Sequence, residues 1–449
     1  MRLAPTPSRS LAAALVAAGL LSLTAPAGAQ ALDATGLRQL EAAVNAAAPR
    51  MVAWRRDIHA HPELSGQEVR TAKLVAEHLQ KLGMEVQTGV GGTGVVGTLR
   101  GGLPGKVVAL RADMDALPVE EKTGLPFASK QKANYLGKEV PVMHACGHDA
   151  HVAMLMGAAE ALAGMRAQLP GTVKFIFQPA EEGAPVVADA SGKVPSFGAK
   201  AMIEAGALKD VQAIYGLHIT SNLPAGVVGY RSGPLMAGSD ALTIHVDGRG
   251  GHGSAPWGAV DPIVASSQVV LGLQTVVSRQ LNISKEPAVI TIGSIHGGTR
   301  NNIIPDGVEM QGTLRTFDEE MREDAKKRIV TTAESIAASS GAKARVSFGP
   351  VAYPVTTNHA ALTEASLPAL REAMGGKVML IPKVSGSEDF SEFQKVVPGF
   401  FYFLGAPQKG QDFAKAPSNH SPLFDIDEAQ LPVGARSLAA LAVDFLQRK

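Results

Sequence analysis

The chain has 449 residues, of which 45% are hydrophobic and 18% are charged, and its formal net charge is +1 at pH 7. This composition is typical of a globular protein with enough residues for two or three domains, and it argues against a disordered chain. Because there is no basic excess and no Lys/Arg run, we do not expect nucleic acid as a partner.

The first 29 residues have the order of a secretory signal peptide. Arg2 and Arg9 come early, an apolar run extends from Leu11 to Leu23, and the small residues Ala27-Gly28-Ala29 follow. We expect cleavage after Ala29 and a periplasmic or secreted protein. The alternative is a retained membrane anchor, but the apolar run is short for a helix that crosses a bilayer. No later segment of the sequence is long and apolar enough to predict a membrane helix, so we expect no stable membrane insertion.

Strand and helix patterns alternate after the signal. Helical patterns cover 33–64 and 66–82, and a third covers "HVAMLMGAAEALAGM". Apolar strands are predicted in "GVVGTLRG", "KVVALRADMDALP", "TVKFIFQPAEEG" and "AIYGLHI". This alternation predicts an α/β domain, with a mixed sheet and helices on both of its faces. Its first segment is expected over residues 30–233.

The pattern changes near residue 234. Strands in "ALTIHVDG", "AVITIGSIHGG", "GVEMQGTLRTF" and "ARVSF" are separated by helices over about 261–280 and 318–339. The order β-α-β-β-α-β is that of a ferredoxin-like α+β unit. We therefore expect an inserted domain over residues 234–349. The α/β pattern returns in "VMLIP", "GFFYFLGA" and a closing helix, which places the second segment of the first domain at 350–449.

Side chains that bind metals follow several of the predicted strands. In an open α/β sheet, ligands bind in the crevice beyond the carboxyl ends of the strands. The groups expected at this edge are Asp113, Asp115, Cys146, His148, Glu181, Glu182, His218 and His420. Each of these residues alone is weak evidence for a metal site, since single histidines and paired glutamates are common on protein surfaces.

Together these groups favour a metal centre. Glu181 and Glu182 repel each other unless a cation or a shared proton holds them. Cys146 is the only cysteine of the chain, so it has no internal disulfide partner. It could be an inert buried thiol, a nucleophile paired with histidine, or a thiolate bound to metal. Imidazole, carboxylate and thiolate ligands suit zinc or a similar ion, and five ligands suit two ions with a bridging group. One glutamate is then expected to stay free as general base.

Several motifs closely resemble those of the di-metal amidohydrolases and metallopeptidases of the aminoacylase and carboxypeptidase family. The nearest branch contains the auxin-conjugate (indole-acetyl-amino-acid), hippurate and N-acyl-amino-acid hydrolases. The motifs are "RADMDALP", "MHACGHDAHVAMLMGAA", "FQPAEEG", "GLHI", "GGHGSAP" and "NHSPLFD". In that family the thiolate bridges two divalent metal ions. The resemblance implies the ligands Cys146, His148, Glu182, His218 and His420.

The resemblance also implies roles for residues that are not ligands. Glu181 would be the base, and Asp115 would be a carboxylate that supports the ligands. Asp113 stands where distant carboxypeptidase members have a histidine, and we expect it to support the site without binding metal. His252 would stabilise the developing oxyanion from a partner subunit, which favours a homodimer formed through a lid-like inserted domain.

Weaker expectations concern the substrate. Asn302 and Arg315 are candidates to hold a substrate carboxylate or the oxyanion. Glu388 and Asp389 are expected on the surface or behind the site at least as much as in contact with substrate. The chain departs from the family's usual pattern in the loop 184–198, which leaves specificity open.

The sequence thus predicts a metal-dependent amidohydrolase for N-acyl amino acids or small peptides, with a metal-activated water and zinc, manganese, cobalt or nickel as candidate ions. A cysteine hydrolase with Cys146 as nucleophile is a second hypothesis, although it makes no use of the glutamate pair. A solute- or metal-binding protein without activity is a third, and the expected free base Glu181 argues against it.

Overall fold

The computed structural model describes residues 34–184 and 194–448. The predicted signal peptide, residues 1–29, lies outside this part of the chain, as does most of the loop 184–198. Within the described residues, no helix combines the length and the apolar character needed to cross a membrane.

Strands and helices alternate in the C-terminal part of the chain, over residues 356–447, whereas five strands in a row, over residues 85–141, follow the first two helices. In chain order the strands are β1 Glu85–Val90, β2 Gly94–Arg100, β3 Leu103–Asp113, β4 Lys132–Tyr135, β5 Lys138–Pro141, β6 Pro170–Gln178, β7 Ala213–Thr220, β8 Val228–Tyr230, β9 Gly233–Met236, β10 Gly238–Asp247, β11 Gly251–His252, β12 Ala288–His296, β13 Ile303–Ile304, β14 Gly307–Thr316, β15 Lys343–Tyr353, β16 Thr356–Asn358, β17 Val378–Leu380 and β18 Gly399–Gly405. The α-helices are α1 Ala34–Ala60, α2 Val69–Lys81, α3 His148–Gly164, α4 Gly198–Glu204, α5 Pro262–Thr275, α6 Glu319–Ser339, α7 Ala360–Ala373, α8 Phe390–Gln394 and α9 Leu431–Gln447.

The larger sheet has eight strands in the order β1-β2-β6-β3-β7-β18-β8-β17. Its central strands β6, β3, β7 and β18 are parallel, and β1, β2 and β8 introduce antiparallel pairs. Parallel strands end at the same edge of a sheet. The groups that follow β3, β6 and β7 are therefore brought close together.

Alternating side chains of β3 explain why helices cover both faces of this sheet. Val108 and Leu110 pack into a core formed with α1, α3 and α9. Ala109 points to the opposite face and joins a second core, to which α4 and α8 contribute. A strand buried on both faces requires a nearly continuous apolar run, and "VVALRA" is such a run.

The smaller sheet is antiparallel, with strand order β12-β14-β10-β15 and a separate apolar core against α5 and α6. The chain order β10-α5-β12-β14-α6-β15 and this pairing define the predicted ferredoxin-like unit. A short ribbon of β9 and β16 pairs the chain where it leaves the larger domain with the chain where it returns. The predicted fold class, a mixed α/β domain with an inserted α+β domain, is confirmed.

Candidate metal centre

The predicted metal ligands converge beyond the carboxyl ends of β3, β6 and β7. Sγ of Cys146 lies 3.3 Å from Nε2 of His218. It also lies 3.3 Å from Nε2 of His420. Nε2 of His420 is in turn 3.0 Å from Oε1 of Glu182. Two groups, Cys146/His148/His218 and Cys146/Glu182/His420, each bring their ligand atoms within 4.8 Å of one another, and Cys146 belongs to both.

The orientation of the buried imidazoles fits a bound cation. Nδ1 of His148 donates to the carbonyl oxygen of Asp115 at 2.9 Å. Nδ1 of His218 donates to the carbonyl oxygen of Ile219 at 2.8 Å. In metal sites, a histidine usually donates one ring N–H in this way and coordinates through the other nitrogen. Within the described part of the chain, Nε2 of His148 is buried and has no hydrogen-bond partner. The donor set thus suits a divalent metal.

Electrostatics also favour a cation here. Burial alone lowers the pKa of His148, but the carboxylates of Asp113 and Asp115 outweigh it and raise the pKa to about 10. Burial and the carboxylates of Glu182 and Glu181 raise the pKa of Cys146, so without a cation its sulfur stays a thiol. A metal ion would replace the proton on the imidazole and stabilise the thiolate.

Unusual backbone conformations place three of these groups. Gly147 precedes α3 with φ 97°, and a Cβ there would lie 2.5 Å from Cγ2 of Ile219. Only glycine fits this position, and it sets His148 as the first residue of α3. Ala180, before the glutamate pair, and His420 have φ of 54° and 71°. Non-glycine residues keep such conformations only where their surroundings hold them.

The two aspartates after β3 hold the imidazoles of α3. Besides its backbone contact, Asp115 accepts from Nδ1 of His148 at 3.1 Å through Oδ1, and from Ser65 Oγ at 2.6 Å through Oδ2. Asp113 accepts from Nδ1 of His151 at 2.5 Å, and its carboxylate is 3.7 Å from Nε2 of His148. Both aspartates thus lie behind the ligands.

Glu181 is buried beside a cluster of charged side chains. Oε1 of Glu181 accepts from the backbone N–H of Asp389 at 3.3 Å. Arg111, 1% exposed, donates to Asp113 at 2.6 Å, to Glu388 at 2.9 Å and to Asp389 at 3.1 Å. Of the positions expected for Glu388 and Asp389, the surface is wrong, since both are buried, whereas their pairing with Arg111 fits a position behind the site. Their charges are buried because the guanidinium of Arg111 pairs with both.

A cavity of about 690 Å³ opens over the ligands. Its apolar wall consists of Leu223, Met236, Ile381, Val384 and Phe403. Arg315, from β14 of the inserted domain, lines the cavity and donates to Ser387 Oγ at 3.0 Å. Lys383 also lines it and pairs with Glu286 of the inserted domain. Both domains therefore contribute to this space.

His252 and Asn302 lie close to each other in the inserted domain, away from the cavity. Both are exposed on the ribbon of β11 and β13, where Gly253 N donates to the carbonyl oxygen of Asn302 at 2.9 Å. Nδ1 of His252 accepts from Ser254 N at 3.1 Å, so Nε2 carries the hydrogen of the neutral ring. Among the described residues that line the cavity, neither His252 nor Asn302 is present.

Sequence reasoning missed several residues around the site. His151 lies in the cysteine motif, and its i, i+3 spacing from His148 puts both residues on one face of α3. Their rings stack with centroids 5.4 Å apart. Arg111 lies in an apolar strand, where a lone charged residue signals a buried ion pair. The hydroxyl of Tyr353 donates to the carbonyl oxygen of Glu181 at 2.8 Å. No sequence pattern indicates that Tyr353 lies at the site.

Comparison with known proteins gives consistent results. The family model described as Peptidase family M20/M25/M40 matches residues 109–444. Thermostable carboxypeptidase 1 of Saccharolobus solfataricus is 46% identical over 394 residues, which cover 87% of this chain and 94% of that protein. N-acetylcysteine deacetylase of Bacillus subtilis is 41% identical, over 89% of this chain and 97% of that protein. A Bacillus subtilis structure, described as a dinuclear metal binding peptidase, superposes with a TM-score of 0.73 and 38% identity, over 90% and 99% of the two chains.

The match to the family model covers most of the chain and includes the cysteine motif, the glutamate pair and the C-terminal histidine. The resemblance drawn from the motifs is thereby confirmed. The chain belongs to peptidase family M20/M25/M40 and is a metal-dependent hydrolase of amide bonds.

Proposed function

We propose that this protein is a secreted or periplasmic amidohydrolase that cleaves the amide bond of N-acyl amino acids or small peptides. Cleavage would use two divalent ions, a metal-activated water and Glu181 as general base. One observation carries the proposal: two groups of potential ligand atoms share Cys146, which lines one cavity together with Glu181. Relatives named as a carboxypeptidase and an N-acetylcysteine deacetylase support this substrate class.

The ligands divide between the two ions. Cys146, His148 and His218 would hold one ion, and Cys146, Glu182 and His420 the other. When bound, these ions would polarise the substrate carbonyl and make water more acidic. Zinc, manganese, cobalt and nickel all suit imidazole, carboxylate and thiolate donors.

Glu181 is proposed to move the proton. It lines the cavity, and its Oε2 is 4.0 Å from Nε2 of His148. Burial is the largest cause that raises its pKa, with Glu388 and Glu182 adding to it. A raised pKa makes a carboxylate a stronger base, and such a group can take a proton from water and pass it to the leaving nitrogen.

The cavity suggests how a substrate is oriented. Arg315 presents a guanidinium that can pair with a carboxylate through two parallel hydrogen bonds. The apolar wall formed by Leu223, Met236, Ile381, Val384 and Phe403 suits an acyl group or an apolar side chain. Asn302 is proposed as a further polar contact, supplied together with His252.

His252 is proposed to act in the site of a partner subunit, which requires a homodimer. Since Nδ1 accepts from Ser254, Nε2–H is the group of this exposed ring that can donate to a developing oxyanion. Exposed apolar side chains of the inserted domain, Trp257 at 85% and Leu271 at 71%, support an association surface there.

The structure argues against the two alternative functions. A cysteine nucleophile needs a lowered thiol pKa, whereas burial raises that of Cys146. A protein that only binds metal or solute has no need of a buried carboxylate such as Glu181 beside the ligands.

The test is to measure metal content and turnover on the same sample. The mature protein is assayed with a panel of N-acyl amino acids and dipeptides, before and after chelation and after metal is restored. We expect about two ions per chain, with activity lost and regained in step. Cys146→Ala should lose metal and activity together. Turnover by a metal-free sample would contradict the proposal and favour the cysteine hydrolase.

A further inference from the structure

Helix α1 carries two buried charged side chains one helical turn apart. Arg55 is 1% exposed and His59 is fully buried. Neither is among the described residues that line the cavity. A buried guanidinium is costly unless all its partners are in place. The partners of Arg55 therefore indicate why it is there.

Arg55 contacts three carboxylates that belong to two segments bearing metal ligands. Nε donates to Oδ2 of Asp149 at 2.9 Å, and Asp149 directly follows His148. Nη2 donates to Oδ1 of Asp425 at 2.9 Å, and Nη1 donates to Oε1 of Glu428 at 3.2 Å. Asp425 and Glu428 follow His420 in the C-terminal segment. One side chain of α1 thus links the start of α3 to the segment after the His420 loop.

Other contacts hold the same two segments. Nδ1 of His59 donates to the Asp149 carboxylate at 2.8 Å, on the side of α3. On the other side, His420 N donates to the carbonyl oxygen of Ala145 at 2.7 Å, and Asn419 Nδ2 donates to that of Cys146 at 2.8 Å. These bonds fix the chain before His420, whereas Arg55 fixes the chain after it. The left-handed φ of His420 requires such support from both directions.

We propose that Arg55 is a positioning residue, which sets the spacing between the His148 and His420 imidazoles and thereby the affinity of the site for its metal ions. The inference rests on the proposed di-metal function. The planar guanidinium suits these three carboxylates because its N–H groups lie on three separate nitrogens and point in fixed, divergent directions, whereas a lysine donates from a single nitrogen. A lysine at this position keeps the charge but holds fewer of these bonds.

The experiment compares Arg55→Lys with Arg50→Lys. Arg50 pairs with Glu160 and so links the same two helices, α1 and α3, but at the surface. Both proteins are loaded with cobalt or zinc, and metal loss is measured by competition with a chelator. We expect Arg55→Lys to hold its metal about 10- to 100-fold more weakly, as for other residues that orient ligands, and Arg50→Lys to match the wild type. The absorption bands of the cobalt protein should shift in Arg55→Lys only, because they report ligand geometry.

Asp425→Asn supplies a second variant, in case Arg55→Lys does not fold, because it removes the negative charge of one of the three partners of Arg55 at nearly constant volume. It should show the same direction of change in metal retention and in the cobalt spectrum. Unchanged metal affinity and spectrum in both variants, with only a lower melting temperature, would mean that Arg55 supports the fold alone, and would overturn the inference. A wild-type protein that binds no metal would instead contradict the proposed function.

Discussion

The carboxylates of Glu181 and Glu182, adjacent in the chain, face different partners. Oε1 of Glu182 lies 3.0 Å from Nε2 of His420, among the ligand atoms around Cys146. Oε1 of Glu181 accepts from the backbone N–H of Asp389 at 3.3 Å. The positive φ of Ala180 starts the turn that separates them. These different surroundings support the proposed roles, with Glu182 as a metal ligand and Glu181 as the base.

Exchange of each glutamate for glutamine should therefore give different defects. Glu181→Gln removes the base but no ligand, so we expect metal content to stay at the wild-type level while kcat falls by about 10²- to 10⁴-fold. Glu182→Gln should lose metal. Metal analysis and steady-state kinetics on the two proteins check this. Metal loss in Glu181→Gln with retention in Glu182→Gln would mean that the two roles are reversed.

Arg315 should determine the preference for substrates with a free carboxylate. Arg315→Met removes the cation from the cavity, and we expect kcat/KM for N-acyl amino acids to fall by roughly 10- to 100-fold, the value of a charged hydrogen bond. For the matching amide substrates without a free carboxylate, kcat/KM should fall little. Arg249→Met serves as the control, because Arg249 is an exposed cation of the same domain. An equal loss on both substrate types would assign Arg315 to the fold or the oxyanion instead.

The convergence of the candidate ligands could be predicted because strand ends are readable in sequence, whereas the division of these groups into ligands and base came from the family resemblance. The apolar runs before Asp113, Glu181 and His218 mark buried strands, and parallel strands bring their ends together. The ferredoxin-like unit was predicted for the same reason, since its strands and helices have clear periods and lengths.

The charged groups behind the ligands depend on contacts between residues far apart in the chain. Arg111 and Glu388 are separated by 277 positions, and Arg55 and Asp425 by 370. No local pattern reports such pairs, so the sequence left open whether Glu388 lies on the surface, behind the site or in contact with substrate. Short elements such as β8, β16 and α8 were missed as well, because they are too brief to show a period and are fixed by tertiary pairing.

If His252 acts in the site of a partner subunit, two inactive proteins should complement each other. His252→Ala alone should lose about 10²- to 10³-fold in kcat. When His252→Ala is mixed with Glu181→Gln and the subunits are exchanged, random pairing gives mixed dimers in which one site has neither defect. Roughly a quarter of all sites then regain activity. Kinetics before and after mixing measure this, with sedimentation to establish the dimer. No recovery despite proven subunit exchange would contradict the role across subunits.

The buried His59 should make the stability of the metal-free protein fall with rising pH. Burial lowers its pKa, but hydrogen bonds from Nδ1 to Asp149 and from Nε2 to Glu121 outweigh this and raise the pKa from 6.5 to about 9. A group whose pKa is raised on folding stabilises the folded state fully below its ordinary pKa, and this contribution is lost as pH rises through the folded pKa. We therefore expect up to about 3 kcal/mol of the unfolding free energy to disappear between pH 6.5 and 9.

Urea unfolding at pH 6, 7.5 and 9 checks the expectation, with His59→Gln as the variant and His61→Gln as the control. His61 lies two positions further along the chain and is exposed. The wild type and His61→Gln should lose stability over this range in parallel. His59→Gln should start lower and change less, because it has no proton to release there. A His59→Gln protein with the wild-type pH dependence would show that another group titrates over this range, because this variant has no imidazolium between Asp149 and Glu121.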